Sequence, residues 1–479
     1  MIYLLLSFLI PIFTGFLLII LLWPGLKSFK SEWIMKICLS VGLGFGISSL
    51  VYFIWLVALG SQISVILIEA SLLFCLILVF LYKTDIWDLY IKKRSARRAI
   101  AGSKIRWILM ICFYVLLLSS VIAFIYISIR NPHGKWDAVS IWNIRAKYLF
   151  GAVEWRDAFS STFASIDYPL MLSGFIARCW EYIGIESVVI PPLVAMFFTF
   201  ATIGLIFSAL SILRSDSQGL LSGIFLLGTP LFITHGASQG ADVPLSFFFL
   251  ATFVLICLTD IIPERRFELL FLSGLTAGIS AWTKNEGLMF IFSIIAARFI
   301  VFIFKREWKK SFQDLLFFVL GAVPVLLIIL FFKTEIGGSN HIMSSQGLEF
   351  TMTRLTDISR YFVVAKAFVK DIYYFSHLLL SAVVLLGAYL AILGVKIEKN
   401  QILGFATSIV ALGIMIIGYF FVYVITPRPL EWHLHTSLDR IILQMWPSLL
   451  FVYFLIVSTP EQKLMSGEIS SETINEVKL

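Results

Sequence analysis

Apolar residues recur along nearly the whole chain in blocks close to the roughly 20 residues that cross hydrocarbon as a helix, and within each block they run on without alternating. A transmembrane β-barrel would show short segments of strict alternation, so that architecture is excluded. The pattern predicts an all-α polytopic membrane protein. Measured with a ~20-residue ruler, about thirteen spans are expected, near 2–23, 34–59, 62–82, 107–129, 188–212, 219–234, 244–260, 268–283, 287–304, 315–332, 374–394, 402–425 and 441–458. The first run has no basic leader and no small-residue cleavage site, and is expected to stay as a span.

Polar connectors divide into two kinds. KKRSARRAIAGSKIR, Lys92 to Arg106, is the most basic, and the excess of Lys and Arg on cytoplasmic loops places it inside. Parity then sends Lys27–Lys36, Arg214, Arg265–Arg266, Lys305–Lys310 and Lys396–Lys399 to the same side. The other side receives a long loop over 130–187, HGASQGADVP, TKNEG, a second long loop over 333–370, and a third over 426–440. Residues 1–103 read as packing spans with their cytoplasmic loop, 104–458 as the working module, and 459–479 as a polar cytoplasmic tail.

Composition changes this picture little. Hydrophobic residues make up 59% of 479 positions and charged residues 14%. In a soluble protein the formal charge of +8 would suggest nucleic acid; here the basic residues sit in short connectors, so the charge reports topology and the expected surroundings are membrane lipids. The five cysteines lie mostly in apolar runs without paired spacing, which gives neither a disulfide framework nor a zinc site.

The chemistry-bearing residues collect on the outer side. Asp137 follows Trp136 at the start of the first long loop, where a carboxylate could cap a helix and a tryptophan anchor it at the interface, or the acid could act on a substrate proton. Ile141, Ile144, Tyr148 and Leu149 at helical spacing predict a surface-lying helix, and DYPLMLSGFIARCWEYIG, with Asp167 and Tyr168, predicts a second. Asp242 precedes Pro244 one turn before a span and is equally a cap or a site acid. In SAWTKNEGLMF, Lys284, Asn285 and Glu286 interrupt a continuous apolar run. As an outer turn they need not enter lipid, and a lysine there can also hold a phosphate. His433, His435, Asp439 and Arg440 crowd before the last span. The alternating histidines are poorly spaced for a metal on one helix face, while Arg440 can snorkel or grip a phosphate.

The order of these parts resembles the GT-C superfamily of membrane glycosyltransferases, which includes protein O-mannosyltransferases and lipid A aminoarabinose transferases. The resemblance rests on WDAVSIWNIRAKYLF, DYPLMLSGFIARCWEYIG, GADVPLSFFFLAT and GLTAGISAWTKNEG, and is best over about residues 107–304. It implies a GT-C-like bundle with interfacial helices in the first long outer loop. It also implies a sugar donor on a polyprenyl phosphate, a glycan, lipid or protein acceptor, and inverting displacement on the outer face of a bacterial inner membrane, or in the endoplasmic reticulum. By position Asp137 would be the general base. Asp242 would orient the acceptor or, in some relatives, a divalent cation such as Mg or Mn. Lys284 would neutralise the departing phosphate, and Arg440 is expected to share that task. Trp136, Asp167, Tyr168, Glu286, His433, His435 and Asp439 would support them. The acidic pair frequent in such loops is here Asp137 followed by Ala138, and no cofactor is required by the pattern.

Two other functions fit a polytopic chain with long outer loops: a lipid or glycan transporter or flippase, and an O-antigen polymerase or ligase. A transporter would want charges near mid-membrane at a broken helix, whereas these gather at one surface. A polymerase would differ by product.

Overall fold

A chain surrounded by hydrocarbon has no water for its backbone, so each apolar run closes its N–H and C=O groups on itself as a helix. A computed structural model describes residues 1–25, 30–83, 104–151, 154–305, 308–337, 347–375, 381–460 and 462–463. Most of the basic connector 92–106 and of the C-terminal tail therefore lies outside the described residues. The helices are α1 (Ile2–Leu22), α2 (Lys30–Ala58), α3 (Val65–Tyr82), α4 (Lys104–Arg130), α5 (Asn143–Leu149), α6 (Met171–Ile183), α7 (Ile190–Leu213), α8 (Asp216–Leu227) and α9 (Pro230–Gly236). They continue with α10 (Asp242–Ile261), α11 (Arg266–Thr283), α12 (Glu286–Lys305), α13 (Trp308–Glu335), α14 (Leu348–Thr356), α15 (Ile358–Tyr374), α16 (Ala382–Leu393), α17 (Ile402–Ile425) and α18 (Leu430–Ile456).

Among the described residues, ten helices are long and apolar enough to cross a membrane, or eleven if α8 and α9 are one bent span. The sequence count of about thirteen is higher for three local reasons. α8 and α9 meet at 69° because Pro230 cannot continue a helix and holds Thr229 extended. α11 carries Arg266, Glu268 and many small polar residues, so it falls short on hydropathy although it still joins the two ends of the bundle. α16 has 12 residues, about 18 Å of helix against about 30 Å of hydrocarbon.

Helix α10 is the axis of the bundle, buried from Asp242 to Thr259 among α7, α11, α17 and α18. Small residues set the closest approach: a Cβ on Gly274 of α11 would stand 1.9 Å from the Phe318 carbonyl oxygen, and one on Gly321 of α13 would stand 2.0 Å from that of Phe271. At the periphery, α4 leaves Ile108, Ile111, Leu118 and Ile122 exposed, with Leu118 at 63%. Lipid is the solvent that tolerates such a face.

The N-terminal spans pack directly on the rest. Ser49 of α2 donates to the Leu170 carbonyl at 3.0 Å and accepts from the Trp282 indole at 3.1 Å, while Tyr52 donates to the Leu149 carbonyl at 2.8 Å. Their surface holds up the first long loop. A buried ion pair joins α3 to α6: Arg178 Nε donates to Glu69 Oε1 at 2.9 Å, and the Tyr182 hydroxyl donates to the same carboxylate at 2.5 Å.

The two ends of the bundle differ. One holds Arg106 against Asp216 at 2.5 Å, Arg214 against Glu398 at 3.5 Å, and Arg298 against Asp314 at 3.1 Å. Arg106, Arg214 and Lys396–Lys399 belong to connectors read from sequence as sharing one side, and the ends of two of these do meet: Gln401 donates to the Leu213 carbonyl, and the Lys396 amide to that of Ile456. The opposite end carries the first long loop.

Candidate active site

Four elements deliver charge to that opposite end. After α4 the chain turns through Gly134, at φ +77°, where a Cβ would meet Ala138 and the Ser238 carbonyl, and Asp137 opens a π-helical turn leading into α5. Asp242 begins α10, Lys284 follows the last residue of α11, and Arg440 lies on α18. α18 starts at Leu430, so His433 to Arg440 are its first turns and not a loop before the span.

The side chains converge. Arg440 Nε donates to Asp242 Oδ2 at 2.9 Å, and its Nη2 donates to Asp137 Oδ2. Lys284 Nζ lies 3.0 Å from Asp242 Oδ1 and 2.8 Å from Glu286 Oε1. Gln444, one turn beyond Arg440, donates to Asp242 Oδ1 at 2.7 Å, and Tyr419 donates to its carbonyl oxygen at 3.1 Å. A buried carboxylate without partners would be far too costly. Asp242 is kept ionised here by two cations and an amide.

Exposure grades across the cluster. The Asp242 and Lys284 side chains are each 5% exposed, whereas Asp137 is 28% and Arg440 26% exposed. Burial alone would lower the Lys284 pKa, but Asp242 and Glu286 outweigh it and hold the ammonium above the ordinary lysine value. Lys284 stays charged.

A second cluster shares the same turn. Asn285 donates to Asp167 Oδ2 at 2.6 Å and accepts from Lys333 at 2.6 Å, and Lys333 also donates to the Asp167 carbonyl. The extended backbone at Lys284, φ −151° and ψ 160°, turns consecutive side chains to opposite sides. Lys284 thus serves one cluster and Asn285 the other, which accounts for the polar interruption in SAWTKNEGLMF. Tyr168 lies between them, its ring stacked on Trp142 at 5.6 Å with Lys284 5.7 Å from its centroid. Burial raises the Tyr168 hydroxyl above its ordinary value, with Glu286 adding to it, so the phenol stays neutral.

The first long loop is clamped from within. Arg145, buried on α5, donates to the carbonyls of Ser165 at 2.8 Å and Tyr168 at 3.0 Å across a left-handed Ser165, φ +53°. Burial lowers the guanidinium pKa to about 10, still cationic at neutral pH.

Other expected residues stand apart. Trp136 is 81% exposed. His433 turns to the Thr426 hydroxyl at 2.8 Å and to the Tyr423 ring, away from the carboxylates. Asp439 accepts from the Arg440 backbone amide at 2.8 Å, and His435 lies exposed on α18. The two predicted loop helices are present as α5 and α6, but α6 is not surface-lying as expected: it is packed into the bundle almost all round.

Gln444, Lys333, Gln239 and Arg145 were not singled out in the sequence, and Asn285 was read there only as part of the polar turn. A lone glutamine in the apolar run IILQMWP, one turn from Arg440, was the clearest missed signal. Among the described residues no three His, Cys, Asp or Glu side chains come together as metal ligands. Asp137 and Asp242 are bridged by the Arg440 guanidinium, which leaves these two carboxylates paired with a cation of the protein's own.

Residues 167–332 match the family model described as dolichyl-phosphate-mannose-protein mannosyltransferase. That match supports a membrane glycosyltransferase of the GT-C type. It takes in about a third of the chain, including Asp167, Tyr168, Asp242 and Lys284; Lys333 lies one residue beyond it, and Asp137 and Arg440 lie outside. No curated protein and no solved structure matched the chain.

Proposed function

We propose that this protein moves a sugar from a polyprenyl-phosphate donor to a hydroxyl or amine of a glycan, lipid or protein acceptor. The reaction takes place at the outer face of the membrane, periplasmic in a bacterium. The observation that carries this reading is the meeting of Asp137, Arg440, Asp242 and Lys284 at one end of the bundle, the inventory that an acceptor proton and a departing phosphate require.

The acceptor heteroatom attacks the anomeric carbon as the bond from that carbon to the phosphate oxygen breaks, with inversion. Asp137, half-buried and the more accessible of the two carboxylates, takes the acceptor proton. Arg440, the more accessible of the two cations, meets the phosphate, and Lys284 adds its charge from behind Asp242. Asp242 orients Arg440 through the bond at 2.9 Å. The family description points to mannose as the first sugar to try.

The test is incubation of purified protein with a panel of polyprenyl-phosphate sugars, reading release of polyprenyl phosphate. Asp137→Asn is expected to leave insertion and melting intact and to lower transfer by at least roughly a hundredfold, the low end for loss of a general base. A well-folded variant that still transfers would remove the base assignment, and a wild type inert to every donor would remove the function.

A further inference from the structure

Arg440 touches both the proposed base and the group proposed to orient it. Its Nε is anchored on Asp242, which is almost fully buried and also held by Lys284 and Gln444. Its Nη2 reaches Asp137 at the exposed side of the cluster. Among the described residues, no other side chain donates a hydrogen bond to the Asp137 carboxylate. While that contact holds, Oδ2 is engaged by the guanidinium and less available to an acceptor proton.

The donor's phosphate is a diester with two unesterified oxygens, and on release of the sugar it becomes a monoester with three oxygens and more negative charge than a carboxylate; the guanidinium fork suits both. Arg440 uses two of about five N–H donors on Asp137 and Asp242. We infer that donor phosphate competes with Asp137 for Arg440, so that seating the donor is what frees the base. The inference rests on the donor reading above. It makes binding ordered: donor first, acceptor activation second, with the buried Asp242 contact as the pivot that keeps Arg440 in place. A site working in this order would not spend its base on water or acceptor before a sugar is seated.

The test is the affinity of a polyprenyl monophosphate for the full-length protein in nanodiscs. If Asp137 and phosphate share Arg440, Asp137→Asn tightens binding by at least roughly fivefold, the low end of coupling between linked ligands. The same substitution in an Arg440→Gln background gives no gain. Should Arg440→Gln fold poorly, Arg440→Lys, too short a fork to span both carboxylates, replaces it, and the gain is expected to shrink. Unchanged or weaker binding in Asp137→Asn overturns the competition. So does an undiminished gain without Arg440, which would report only a lost negative charge. A wild type that binds no polyprenyl monophosphate overturns the donor reading and this inference with it.

Discussion

The side-chain amide of Asn143 donates to Gln239 Oε1 at 2.9 Å, fastening the loop that carries Asp137 to the one that carries Asp242. Gln239 also donates to the Pro132 carbonyl at 3.1 Å, and the Lys135 amide donates to the neighbouring Ser238 carbonyl at 3.1 Å. The clasp sits on a strained residue: Gln239 has φ +61°, a region that costs a non-glycine residue about 1–2 kcal/mol. Glycine would remove the strain and lose the clasp. Gln239→Gly is therefore expected to keep its melting temperature while losing about tenfold or more in transfer rate, equivalent to about 1.4 kcal/mol in the barrier. Full activity in the glycine variant would reduce Gln239 to a loop residue.

Asn285 holds Asp167 and Lys333 as a neutral amide. Asn285→Asp would place a carboxylate against the Asp167 carboxylate, and two acids sharing a site push one pKa up. The sign follows from that rise: repulsion is present when both are ionised, above the raised value, and is relieved as pH falls through it. The melting-temperature gap between variant and wild type is expected to narrow from pH 7.5 to pH 5. A gap that widens on acidification would contradict the arrangement.

Glu69 and Arg178 form a charge pair with side chains 3% and 0% exposed. Removing one partner strands the other, at about 3–5 kcal/mol, whereas replacing both with apolar residues of similar volume is far milder. Thermal unfolding in detergent should rank Glu69→Gln well below wild type. The double variant Glu69→Leu with Arg178→Met should fall between them.

A Cβ on Gly287 would stand 2.3 Å from the Ala281 nitrogen and the Ser280 carbonyl carbon, backbone atoms that cannot step aside without opening the turn between α11 and α12. Gly287→Ala is expected to cost about 1–3 kcal/mol and to reduce transfer, because Lys284 and Glu286 ride on that turn. Gly347→Ala, with nothing within 4 Å, is the matched control and should change neither. Equal behaviour of the two variants would show that the turn tolerates opening.

Much of this molecule was legible along the chain. Membrane class, helix positions and the sorting of basic connectors from chemistry-bearing loops follow from hydropathy and charge, which act locally and need no knowledge of packing. Asp137, Asp242, Lys284 and Arg440 were readable as candidates because charge beside an apolar run is costly enough to ask for a reason. Gln444 and Lys333 were harder to see. A single polar residue at the edge or within a span looks like packing until its partner, distant in sequence, is known.

Sequence by itself determined that these segments become helices, since a backbone in lipid has few alternatives, and that the polar residues between them stay at the ends. Tertiary structure alone decided which polar residues meet. Arg440 is brought to Asp137 across 303 positions of chain and to Asp242 across 198, by helices whose small residues allow close approach and whose buried charges must each find a partner. That requirement is met only in three dimensions, because no stretch of the chain contains both halves of the pair.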